Sequence, residues 1–228
     1  GLHKANVRLI GNGGGLVYAP LGPTHEAIDD IAILRAIPGM AIVAPADADE
    51  MRRLMPLTVD HAGPLYIRLA KGNDPIATRD DVPFHIGKAL PMRTGRDALL
   101  VTTGVTLKLA LDAAAMLSGH GIEAAVLHMP TVKPLDQEAL VAHAAEVAVI
   151  VTIEEHSLIG GLGSAVAEVV AEAGFNPAKR FKRIGIPDVF PDQYGSQASL
   201  MKRYAITAEQ LTSTVTGLLR RETEHARY

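Results

Sequence analysis

Four groups of residues in this chain have types and spacings that could do chemistry. The first is Leu21-Gly22-Pro23-Thr24-His25-Glu26. A Gly-Pro turn followed by Thr24 as N-cap predicts that His25 opens a helix running to Ile37. A helix N-terminus carries partial positive charge and so disfavours imidazolium. A neutral His25 there could take or give a proton at a carbonyl; the plainer reading is an exposed histidine beside a cap. The second group is Gly11-Asn12-Gly13-Gly14-Gly15, placed after a strand. Its spacing does not match the dinucleotide fingerprint and no helix follows directly. It reads as backbone approaching something closely, or as a flexible surface loop.

The third group is Glu154-Glu155-His156-Ser157 with Gly160-Gly161-Leu162-Gly163-Ser164-Ala165. It stands at the carboxyl end of an apolar strand and opens a helix, the place where open α/β sheets bind ligands. Free N–H groups at such a start attract anions, but two carboxylates beside them oppose a phosphate. Close strand–helix packing accounts for the glycines, and His156 stays open between a packing and a functional role. Ser157 has no nucleophile elbow around it. The fourth group is Arg68 and Lys71, at the carboxyl end of a third strand. Two cations there could grip a phosphate or carboxylate, or form a solvated charged surface. Asp47, Asp49 and Glu50 read as charge favourable to a helix N-terminus and not as metal ligands.

The elements that must position these groups follow from the apolar pattern. Short aliphatic strands are expected at 6–11, 40–43 and 64–69, alternating with helices at 25–37 and from Asp47 to His61. Periodicity fades from Ala70 to Thr94, where Pro75, Pro83 and Pro91 fall. It resumes with strands at 97–102, 122–128, 147–153 and 181–186. Helices are expected between and after them at 106–117, 136–145, 164–172, 196–204 and 208–221. Strands apolar on both faces that alternate with helices imply parallel βαβ units. The expected fold is α/β, two three-layer units with mostly parallel sheets. Their spans are 1–80 and 95–228, joined by a connection over 81–94. The first, with three strands, is expected to be incomplete.

Composition narrows the function. There is no cysteine, which excludes disulfides, thiolate metal sites and thiol nucleophiles, and a reducing cytoplasm is compatible. The net charge of -3 and the 4% aromatic content argue against nucleic acid and membrane surfaces as partners. No apolar run of ~18 residues predicts a membrane span, and the start lacks the layout of a signal peptide.

Several of these runs stand in the order of a known family. Gly22-Pro23-Thr24-His25-Glu26, Leu34-Arg35-Ala36-Ile37-Pro38-Gly39-Met40 and Pro45-Ala46-Asp47-Ala48-Asp49-Glu50 resemble transketolase in order and spacing. So do Met129-Pro130-Thr131-Val132-Lys133-Pro134-Leu135-Asp136, Glu154 to Gly163, and Arg183-Ile184-Gly185-Ile186-Pro187-Asp188. The resemblance extends to deoxyxylulose-phosphate synthase and the β subunits of 2-oxo-acid dehydrogenases, and it covers essentially the whole chain. It implies thiamine diphosphate and Mg2+ as cofactors, with transfer of a two-carbon ketol unit between sugar phosphates. The residue it implies as catalytic is His25, facing the substrate; Lys71, with Arg68 beside it, is implied to bind substrate phosphate. The family's acidic residue before Gly-Pro-Thr-His is replaced here by Leu21, removing a contact to a substrate hydroxyl. The resemblance places the glutamate that activates the cofactor, and the aromatics around its ring, before Gly1. It assigns the diphosphate and metal to a domain not represented in this chain, so no residue here is assigned to either. The implied partner is a diphosphate-binding subunit or domain, in a homodimer or heterotetramer, in the cytoplasm. The alternatives are a non-catalytic assembly or dimerisation module, and a 2-oxo-acid dehydrogenase β subunit.

Overall fold

A computed structural model describes residues 1–225, and side chains through Arg220. It is mixed α/β with two mostly parallel sheets, as the strand–helix alternation implies. The first sheet holds β1 (Arg8–Asn12), β2 (Ala41–Val43), β3 (Leu65–Leu69) and the late strand β7 (Thr131–Lys133), in the order β1-β3-β2-β7. β3 pairs in parallel with both β1 and β2. The second sheet is built from β4 (Leu90–Arg93), β5 (Ala98–Thr102), β6 (Ala124–His128), β8 (Val149–Ser157) and β9 (Arg180–Ile186). Its order is β4-β6-β5-β8-β9. β5, β6, β8 and β9 are parallel neighbours, and β4 runs antiparallel on one edge.

Two strands lie where no strand is expected. β4 sits inside the 81–94 stretch; Pro91 breaks its pattern, and an edge strand tolerates proline because one side of it needs no partner. β7 belongs by sequence to the second unit, yet pairs antiparallel with β2 of the first. The second unit thereby covers one edge of the first sheet. A run of three residues is too short to show a period.

The helices are α1 (Asp30–Arg35), α2 (Ala48–Val59), α3 (Thr106–Ser118), α4 (Gln137–Ala145), α5 (Leu162–Glu172), α6 (Gln197–Arg203) and α7 (Ala208–His225). Asp47 caps α2 by accepting from the Glu50 N–H at 2.9 Å, and Asp136 caps α4 through the Ala139 N–H. Ser196 and Ser199 form a reciprocal capping box on α6. One buried cluster runs through both units, from Leu16, Val43, Leu54 and Ile67 to Leu100, Leu107, Val126 and Ile153. The seam between the sheets is therefore core rather than a solvated hinge. No described helix is long and apolar enough to cross a membrane.

Candidate active site

The helix expected from His25 to Ile37 is instead shorter. Pro23–His25 form one 3₁₀ turn, Glu26 is extended, and α1 begins after Asp29. The reason lies in two carbonyls. Ala27 O accepts from the Gly15 N–H and from Arg68 Nη2, and Ile28 O accepts from the Ser157 N–H. Those carbonyls are taken by distant chain, so residues 26–28 cannot close a helical turn. Thr24 is accordingly not an N-cap, and the helix-terminus argument for a neutral His25 does not hold. His25 is exposed on the loop that follows β1. Its Nδ1 lies 3.0 Å from the Thr24 hydroxyl, which leaves Nε2 as the nitrogen free for a ligand.

Arg68 and Lys71 part company. Lys71 is exposed, with its ammonium 5.6 Å from the centre of the Tyr18 ring. It lines a cleft of about 220 Å³ with Asn12, Asp47, Met51, Asn73 and Asp74, at the carboxyl edge of the first sheet. Tyr18 belongs to the same loop as His25, and its hydroxyl lies 3.4 Å from Asn12 Nδ2. Arg68 turns inward. Its Nε donates to Asp30 at 2.9 Å, and its Nη2 donates to the carbonyls of Ala27 and Glu155 at 3.0 Å each. Tyr66 donates to the same Asp30 at 2.6 Å. The expectation that Arg68 assists with phosphate is corrected: its side chain is buried, and its Nε and Nη2 join β3 to α1 and β8 instead of facing the cleft. Arg68 and Tyr66 hold the Asp30 carboxyl below its usual range, while burial and Asp30 raise the Tyr66 hydroxyl.

The Glu154-Glu155-His156 run is buried, and it continues β8 past the expected strand end at Ile153. Each of its side chains has a partner that makes this possible. Glu154 accepts from the N–H groups of Leu162 and Gly163 at 2.6 and 2.8 Å, so it fills the start of α5 where an anion would otherwise bind. A Cβ at Gly161 would lie 2.1 Å from Glu154 Oε2, which makes the glycine there a packing requirement. His156 Nδ1 lies 2.8 Å from the Ser157 carbonyl and Nε2 lies 3.4 Å from the Ala32 N–H. That pattern assigns the neutral tautomer with the proton on Nδ1. Burial and Arg68 push His156 down to about 4, while burial pushes Glu154 up to about 7. His156 is thus a joint between the units and not a ligand-facing group.

These two groups give opposing pH slopes. Between the ordinary glutamate value of 4.5 and about 7, the unfolded chain ionises while folded Glu154 keeps its proton, so stability falls as pH rises. Between 6.5 and about 4, the unfolded histidine takes a proton that folded His156 refuses, so stability falls as pH falls. Glu154→Gln removes the first slope and leaves the second. Urea midpoints of that variant are expected to drop more steeply than those of the wild type between pH 6.5 and 4.5; parallel curves would contradict the assignment.

Three features escape sequence reading. Glu50 and His128 form a fully buried pair at 3.1 Å across the seam, and Asp30 pairs with Arg68. Both carboxylate oxygens of Glu26, beside His25, are buried with no hydrogen-bond partner among the described residues, and burial raises its pKa. A charged residue inside the apolar strand Leu65-Tyr66-Ile67-Arg68-Leu69 is the one available signal: it demands a buried partner. Among the described residues no three His, Asp or Glu side chains gather to hold a metal ion.

Two mostly parallel α/β sheets thus meet across a buried polar joint, with the exposed His25 on the loop after β1 and the Lys71 cleft at the carboxyl edge of the first sheet. The family description "Transketolase, pyrimidine binding domain" matches residues 1–75, and "Transketolase, C-terminal domain" matches residues 87–211. The chain belongs to the transketolase family. It is 39% identical over 196 residues to a putative uncharacterized transketolase family protein of Sinorhizobium fredii, covering 85% of this chain and 56% of that one. It is 40% identical over 210 residues to an apulose-4-phosphate transketolase subunit of Phocaeicola vulgatus, covering 92% of this chain and 66% of the relative. The solved structure "Split gene transketolase, inactive beta4 tetramer" superposes with a TM-score of 0.85 at 35% identity, over 96% of this chain and 68% of that one. The chain thus spans between about half and two thirds of the length of these relatives.

Proposed function

We propose that the chain is the β-type subunit, or C-terminal portion, of a thiamine-diphosphate-dependent transketolase-like enzyme. It transfers a two-carbon ketol unit between sugar-phosphate-like substrates. The observation that carries this reading is the exposed His25 on the loop after β1, the same loop whose Tyr18 ring takes the ammonium of Lys71 beside the cleft that Lys71 lines. The name of the Phocaeicola vulgatus relative, a transketolase subunit, supports it. The diphosphate and its Mg2+ are held by a partner subunit or domain, in a dimeric or heterotetrameric cytoplasmic assembly. When bound, the cofactor supplies a carbon nucleophile for the donor carbonyl. His25 Nε2 hydrogen-bonds the donor's oxygen and moves a proton there. Lys71 pairs with the substrate phosphate as a point charge. Leu21, 52% exposed, offers no carboxylate to a substrate hydroxyl.

Lys71→Ala tests the phosphate assignment. A lost charge-assisted contact is worth ~1.5–3 kcal/mol, so KM for a phosphorylated substrate is expected to rise about ten- to hundredfold. KM for its unphosphorylated analogue should hold. Equal changes for both substrates would remove Lys71 from the phosphate site.

The composite-site reading is tested by heat stability. The chain is mixed with a diphosphate-binding partner, thiamine diphosphate and Mg2+. A ligand at a hundredfold excess over its dissociation constant adds about 2.7 kcal/mol. A gain that needs partner and cofactor together is expected. A gain from the partner alone, unchanged by cofactor, would favour an assembly module.

A further inference from the structure

The glycine-rich turn and Glu155 join the two units, and their geometry leads to His25. Glu155 is 2% exposed, in the second unit. Its Oε1 accepts from the Leu16 N–H at 2.8 Å, and Gln197 Nε2 donates to both its oxygens at 2.9 and 3.0 Å. The loop reaches this carboxylate because Gly15 has no side chain. A Cβ there would lie 2.5 Å from Glu155 Cδ, on a backbone with φ +79°.

From Leu16 a ladder of backbone hydrogen bonds climbs by threes. The Ala19 N–H donates to Leu16 O, the Gly22 N–H to Ala19 O, and the His25 N–H to Gly22 O. The Gly195 N–H also donates to Ala19 O, two residues before Gln197. The ladder that ends on His25 is thus fastened at its foot by a carboxylate, and at its second rung by backbone, both from the other unit. Fixed rungs transmit position: a foot that slides takes the last rung with it.

We propose that Glu155 and Gln197 are positioning residues that set His25 from across the seam, touching no substrate themselves. The consequence for turnover rests on the proposed role of His25, whereas the positioning itself does not. The second unit then orients a group of the active site, besides packing against the first.

The test uses the full chain with Glu155→Ala, Glu155→Gln and Gln197→Ala, the last as the milder variant should Glu155→Ala fail to fold. Diethyl pyrocarbonate modification is followed at each histidine by mass spectrometry, with exposed His85 and His120 as internal controls. The expected result is a several-fold change in rate at His25 in Glu155→Ala or Gln197→Ala, with His85 and His120 unchanged. Glu155→Gln keeps an acceptor for the Leu16 N–H and should restore the wild-type rate. In the assembled enzyme, misplacing a reacting group should lower kcat by about tenfold while KM holds. An unchanged His25 rate, or equal rises at all three histidines, would overturn the proposal. A changed His25 rate with unchanged kcat would keep the anchor and instead overturn the catalytic reading of His25.

Discussion

Arg68→Ala is expected to destabilise the chain by about 3–5 kcal/mol, because it leaves the largely buried Asp30 carboxylate without its ion-pair partner. The Arg68 and Asp30 side chains are only 8% and 14% exposed. In the wild type the guanidinium also satisfies the carbonyls of Ala27, in the first unit, and Glu155, in the second. Removing it leaves Asp30 with the Tyr66 hydroxyl as its side-chain hydrogen bond among the described residues, and takes one of two donors from the Ala27 carbonyl, which keeps the Gly15 N–H. For a chain of this length the loss corresponds to a fall in Tm of roughly 6–20 °C. Arg68→Lys keeps the charge without the fork and should fall between wild type and Arg68→Ala. Asp30→Asn in the Arg68→Ala background should cost less than the two single losses added, since the stranded charge is gone. A loss under about 1 kcal/mol for Arg68→Ala, the range of an exposed ion pair, would contradict this account.

That interior role shows where sequence reading reaches its limit. Strands such as Ala98–Thr102 and helices such as Thr106–Ser118 are legible because the whole pattern lies in neighbouring residues. The motif runs around His25 and Glu154 are equally local. What is not legible depends on who meets whom. Arg68 and Lys71 are three residues apart and both cationic, yet one faces Asp30 and the other the cleft, according to how β3 lies against α1. β8 continues through Glu154-Glu155-His156 because α5, Leu16 and Ala32 satisfy those side chains from three directions. α1 starts late because Gly15, Arg68 and Ser157 claim the carbonyls ahead of it. β7 is a strand only because β2 has a free edge for it. The glycines are a middle case. Their clustering marks close approach, and the structure supplies what approaches: Glu155 at Gly15, Glu154 at Gly161.

His25→Ala is expected to lower kcat of the assembled enzyme by about 10²–10⁴-fold, the range for losing one positioned proton-transfer group. The imidazole is exposed and its side-chain hydrogen bond among the described residues is to Thr24, so the stability of the isolated chain should stay within about ±0.5 kcal/mol. This pairing of effects separates a chemical role from a structural one. Arg68→Ala should reduce activity through folding, His25→Ala without it. Turnover by His25→Ala within a few-fold of wild type would remove His25 from the mechanism.

In its proposed role this chain forms one side of a thiamine-diphosphate site that a partner completes. The measurement that addresses it most directly is two-carbon transfer from a ketose phosphate to an aldose phosphate. The chain, a diphosphate-binding partner, thiamine diphosphate and Mg2+ are each left out in turn. Transfer is expected with all four present and with no three of them. Transfer without the partner, or transfer with the partner and cofactors in the absence of this chain, would contradict the claim.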